Sequence, residues 1–120
     1  MPQGFMTGYI DLVFEYGGRF YIVDWKSNRI GGTPAHFDAA GLAGEMALHG
    51  YYLQYLIYMV ALDAFLRQRL AGYDYERHIG GVHYVFLRGV DETVPARGIF
   101  HERPAAGLIA ALSRVMAAGA

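Results

Sequence analysis

Cysteine is absent from the 120 residues. That excludes disulfide scaffolds, thiolate zinc sites and cysteine nucleophiles, and it suits a reducing cytoplasm. Lysine is almost absent: of ten basic residues nine are arginine, and Lys26 is the exception. The net charge is only -1, so the chain is no bulk polycation that binds nucleic acid by charge alone, although a local groove stays open. No apolar run approaches the ~18 residues of a membrane span. The longest, Tyr51 to Leu62, stops at Asp63. Met1-Pro2-Gln3 carries no basic segment ahead of an apolar one, so no secretory signal is visible. Charged residues are sparse at 18%, against 54% hydrophobic. That much apolar surface offsets chain entropy in one compact domain, residues 1–120, and argues against disorder.

The pattern of elements predicts an α/β fold. Tyr9 to Glu15 is β-rich, Gly17-Gly18 is a two-residue hairpin signal, and Phe20 to Lys26 is a second strand. Both strands are apolar on both faces, which predicts central positions in the sheet. Ser27 to Pro34 is a loop. Helices are predicted over Ala35 to Leu48 and Tyr51 to Leu70, with a break at His49-Gly50. A strand follows from Val82 to Leu87, introduced by Gly80-Gly81. Arg88 to Arg103 is irregular, with a short strand near Gly98 to His101. Pro104 suits the first turn of a last helix, Ala105 to Ala117. The order implies helices packed on a small mixed sheet.

The hairpin concentrates the ionisable groups. With Gly17-Gly18 as the turn, opposed residues sum to 35, and Asp11 faces Asp24. Alternation puts Lys26 on the same face as Asp24. Two opposed carboxylates repel, and burial makes this worse unless something neutralises them. A divalent cation does so, and carboxylate oxygens with waters suit Mg²⁺ or Mn²⁺. Lys26 would then steady an attacking water or a phosphate charge. The plainer alternative is that Lys26 pairs with one carboxylate while Asp11 ends a strand.

These residues resemble a family. Asp11 followed by Asp24-Trp25-Lys26 is similar to the PD-(D/E)XK nuclease motif. Gly4 to Phe14, Val23 to Asn28, Tyr51 to Tyr55, Gly80 to Asp91 and Arg103 to Ile109 resemble, in order, the C-terminal nuclease domain of RecB proteins, of the exodeoxyribonuclease V type. The resemblance implies a restriction-endonuclease-like core and Mg²⁺-dependent hydrolysis of DNA phosphodiesters. Asp11, Asp24 and the Trp25 carbonyl would hold the metal, and Lys26 would position the water. Gln54 and Tyr58 match the family's Q-x-x-x-Y signature and would orient DNA or the site; at that spacing they share a helix face. A tyrosine-rich helix face is otherwise simply core. The implied partners are DNA, the other subunits of a helicase–nuclease and the RecA recombinase. The alternative is a non-catalytic module that docks the recombinase, or an inactive nuclease fold. The family also has a histidine ligand and an acidic residue upstream of the stretch that begins here, which implies N-terminal truncation, apolar surface uncovered at Tyr9, Ile10, Tyr51 and Tyr55, and self-association.

Other signals are weaker. None of the five histidines pairs at the spacing of a helical zinc site, and His83 has the character of a satisfied structural histidine. Arg67 and Arg69 complement the dipole at a helix C-terminus. Gly31-Gly32 and Gly80-Gly81 lack the lysine and the serine or threonine of a phosphate loop.

Overall fold

The computed structural model describes residues 12–28, 30, 34–91, 93–94 and 97–119. Two strands come first, β1 (Leu12–Tyr16) and β2 (Arg19–Lys26). They pair antiparallel from Tyr16↔Arg19 to Leu12↔Val23, so every described pair keeps the sum of 35. Gly17 and Gly18 both have positive φ, 61° and 82°, as the tight turn between twisted strands requires. Asp11 lies outside the described residues.

The predicted first helix divides in two. Pro34–Phe37 forms a 3₁₀ turn, and α1 runs from Ala39 to Leu48. The divider is Asp38, whose Oδ1 accepts the Gly41 N–H at 2.9 Å as an N-cap. Gly50, at φ 69°, separates α1 from the long α2, Tyr51–Arg69. A single turn, α3 (Tyr75–His78), was not expected; Asp74 caps it. Next come β3 (Ile79–Phe86), a 3₁₀ turn at Leu87–Gly89, β4 (Ile99–Glu102) and α4 (Ala106–Ala118). Gly80 and Gly81 therefore lie inside β3 and do not introduce it. The register shifts between Phe20 and Tyr21 as they pair with Ile79 and Gly81, which leaves Gly80 bulged. A Cβ at Gly80 would strike the Tyr21 ring.

The sheet order is β1-β2-β3-β4, with β2 and β3 parallel and the outer pairs antiparallel. The helical crossover between β2 and β3 makes the parallel pair possible. The mixed sheet with flanking helices is thus present as expected. One strand differs from expectation. β2 is central, but β1 is an edge of the described sheet and all five of its residues are exposed. A two-faced apolar sequence records that both faces can be covered, and not where the strand sits.

One sheet face carries the core. Ile22, Val82, Tyr84 and Phe86 pack against Leu42 and Met46 of α1, against Tyr55, Tyr58, Met59, Leu62 and Leu66 of α2, and with Ile109 of α4. The opposite face is a ladder of rings across all four strands. Phe14 stacks on Tyr21 at 5.1 Å, Tyr21 meets His83 at 5.8 Å, and His83 meets His101 at 4.4 Å. No helix among the described residues is long and apolar enough to cross a membrane.

Candidate active site

Asp24 and Lys26 project from the end of β2 onto the helix-covered face. Pairing across the parallel strands places Asp24 beside Tyr84 and Lys26 beside Phe86. Asp24 is only 3% exposed. Its Oδ1 lies 3.2 Å from Lys26 Nζ, so the two form an ion pair out of bulk water. The pairing of the lone lysine with this carboxylate is common to both readings of the sequence. Trp25 points to the other face and is 46% exposed, so only its backbone belongs near Asp24.

Aromatic rings enclose the ammonium. Lys26 Nζ lies 4.2 Å from the centroid of Tyr51 and 5.5 Å from that of Tyr84. Ring quadrupoles attract a cation in this position. The Tyr84 hydroxyl donates to Gln54 Oε1 at 2.6 Å. Burial, followed by the Asp24 charge, raises the Tyr84 pKa well beyond its ordinary value, so the phenol stays a donor. Gln54 therefore reaches the site through Tyr84. Tyr58 is 4% exposed and belongs to the core cluster with Tyr84. Gln54 and Tyr58 lie one turn apart on α2, Gln54 half-buried and Tyr58 buried. Tyr55 likewise is buried, against Phe100 and Tyr84, and is not uncovered. The reason is the β4 pairing, which brings Phe100 over α2.

A polar network lies behind Tyr51. Its hydroxyl accepts from Asn28 Nδ2 at 3.1 Å, and the same amide donates to Glu45 Oε2 at 2.7 Å. His49 Nε2 is 3.1 Å from that carboxylate oxygen. The His49 ring stacks on Tyr51 at 5.4 Å. Tyr51, Tyr84, Asn28 and Glu45 were not singled out from the sequence as site residues. Tyr51, Tyr84 and Asn28 had a signal, since all three lie within the family-like segments; Glu45 has none and comes to the site through tertiary packing.

Two further sites differ from expectation. Arg67 does more than complement the end of α2. Its guanidinium meets both oxygens of buried Asp63, at 3.1 and 3.2 Å. His83 is not a satisfied histidine: its buried Nδ1 has no hydrogen-bond partner among the described residues. No group of three or more metal-ligating side chains occurs among the described residues.

No family model matches the chain. Individual proteins do. Over 115 residues it is 48% identical to the RecBCD enzyme subunit RecB of Escherichia coli (strain K12), covering 96% of this chain and 10% of that subunit. The subunit of the same name from Haemophilus influenzae is 46% identical over 114 residues, 94% of this chain and 9% of the relative. That of Mycolicibacterium smegmatis is 38% identical over 130 residues, 98% and 12%. An α/β core with an aspartate–lysine pair on its central strand, aligned along nearly its whole length with such subunits, defines the class. The chain belongs to the RecB family. It spans about a tenth of the length of the relatives it matches.

Proposed function

We propose that the chain is the nuclease module of a RecBCD-type helicase–nuclease, hydrolysing DNA phosphodiesters in double-strand-break repair and recombination. The observation that carries this reading is the Asp24–Lys26 pair, one nearly buried carboxylate and the only lysine, held 3.2 Å apart on the central strand. A buried carboxylate is a hard oxygen donor, which fits Mg²⁺ or Mn²⁺ and not a thiophilic metal. The proposed ligands are Asp24, the Trp25 carbonyl and Asp11. The last rests on the sequence alone, in which residues opposed about Gly17-Gly18 sum to 35. A bound divalent cation supplies charge stabilisation to the reacting phosphate and acidifies a water.

The protein's own groups do the rest. Lys26 presents a compact ammonium whose donors can hold the attacking water or a phosphate oxygen. Asp24 holds that ammonium in place. Tyr84 and Gln54 brace the Asp24 side of the site, and Tyr58 supports them from the core. The partners proposed are DNA and the remaining subunits, in the cytoplasm.

The test is cleavage of single-stranded DNA by the intact helicase–nuclease that contains this segment. Asp24→Ala is expected to lower metal-dependent cleavage by about 10²-fold or more while ATP-driven unwinding continues. Lys26→Ala and Lys26→Arg are both expected to fail, because a planar fork does not replace a point charge. Cleavage at the wild-type rate by Asp24→Ala would remove the site from the reaction.

A further inference from the structure

We propose that Tyr51 is a positioning residue that aims Lys26 at the Asp24 carboxylate, with Asn28 and Glu45 fixing the tyrosine ring. The inference rests on the nuclease reading for its consequence, though not for its geometry. A lysine side chain has four methylene groups and many rotamers, and each must be excluded for the ammonium to occupy one place. Asp24 alone fixes one distance. The Tyr51 ring supplies the second, with Nζ 4.2 Å from its centroid.

The ring in turn is held from several sides. Tyr84 and Phe86 pack against it at 5.5 and 6.4 Å, and His49 stacks on it at 5.4 Å. Its hydroxyl is tied to Asn28, and Asn28 to Glu45 on α1. Asn28 lies two residues beyond Lys26, so the loop that leaves β2 is anchored to the same ring that receives its lysine. The network therefore joins β2, α1 and α2 at one point. A polar group set this carefully has a use beyond packing: it places a cation before substrate arrives, so that no reorganisation is needed at reaction.

The lone lysine makes the test selective. In the full chain labelled with ¹³C-lysine, the Lys26 ε-methylene protons give the only lysine signal. They are expected upfield of a free lysine and split from one another, because they lie over an aromatic face. Tyr51→Phe is expected to keep both features at reduced size, since the ring remains and its hydroxyl tie to Asn28 is gone. Tyr51→Leu is expected to move the signal to the free-lysine position in a chain that still melts cooperatively. If that variant fails to fold, Asn28→Ala and Glu45→Ala, which remove the ties behind the hydroxyl and leave the ring, are expected to weaken the same shift. A free-lysine signal in the wild type, or a signal unchanged in every folded variant, overturns the proposal.

The kinetic arm uses the intact helicase–nuclease. Tyr51→Leu is expected to lower kcat roughly 2- to 30-fold, the range of a cation–π contact, with KM for DNA unchanged. Tyr51→Phe is expected to recover most of the loss. If the lysine signal collapses while kcat stays at the wild-type value, Tyr51 does not position the reaction. If the wild type shows no metal-dependent cleavage, the nuclease reading falls by itself, and the lysine signal decides the placement.

Discussion

Asp63 is a buried carboxylate on the last turns of α2, and it survives there because two donors make three contacts with it. The Tyr73 hydroxyl donates at 2.6 Å and Arg67 supplies two contacts. Burial first, and then the bond to Asp63, push the Tyr73 phenol well above its ordinary pKa. Tyr73→Phe leaves a charged oxygen short of a donor and is expected to cost about 1.5–3 kcal/mol, measured by urea unfolding. His83 makes the opposite case, a ring nitrogen that burial has stranded. Burial, and secondly His101, lower its pKa in the folded chain. The unfolded chain then binds the proton more readily, so stability falls as pH drops below about 6.5 and levels off beneath the folded value. Thermal melts from pH 7.5 to 5 are expected to show this slope in the wild type and a shallower one in His83→Leu. A slope unchanged by that substitution would assign it to another group.

At the scale of elements, the site depends on how α1 is set. Asp38 starts the helix, and seven residues later Glu45 receives Asn28. Losing the cap frays the first turn and loosens the register of everything that follows. Asp38→Ala is expected to destabilise the chain by about 0.5–2 kcal/mol in chemical denaturation. It should also broaden the amide resonance of Asn28, across the network and 10 residues away in sequence. Denaturation midpoints equal to wild type would show that the turn at Pro34–Phe37 holds α1 without it. Tyr75 plays a similar part elsewhere. Its buried hydroxyl donates to the Pro104 carbonyl at 2.6 Å, tying α3 to the chain entering α4, and burial pushes its pKa up to about 12.

Across the whole molecule, the two sheet faces are unequal. One is filled by α1 and α2. The other presents Leu12, Phe14, Tyr16, Trp25 and Ile99, all exposed, beside the outer edge of β1. Apolar area on that scale, and a strand edge with no partner among the described residues, favour association. The 120-residue chain is expected to run above 13.3 kDa by light scattering at micromolar concentration. Phe14→Lys, which puts a charge at the centre of the patch and on the edge strand, is expected to return it to a monomer. Trp25 is the only tryptophan, so its emission should shift to the red on dilution. A monomer at every concentration would remove this expectation.

Local chemistry was legible without coordinates. Gly17-Gly18 fixed the hairpin, because only such a turn matches the strand twist, and its register followed by counting. Lys26 stood out because it has no like residue in the chain, and alternation placed it with Asp24. The Gln54–Tyr58 spacing was visible, but its surroundings were not: Tyr58 lies in the core and Gln54 acts through Tyr84. Three things needed the tertiary structure. The parallel pairing of β2 with β3 brings Tyr84 beside Asp24 from sixty residues away. The α1–α2 break swings Tyr51 over Lys26 and Glu45 onto Asn28. And β1 is the edge of the described sheet, its residues exposed, although its sequence matches a central strand. Turn geometry and alternation are properties of neighbouring residues, so sequence alone specifies them. Which distant strand pairs with which, and which face is covered, depends on burial summed over the whole chain, and only the folded structure performs that sum.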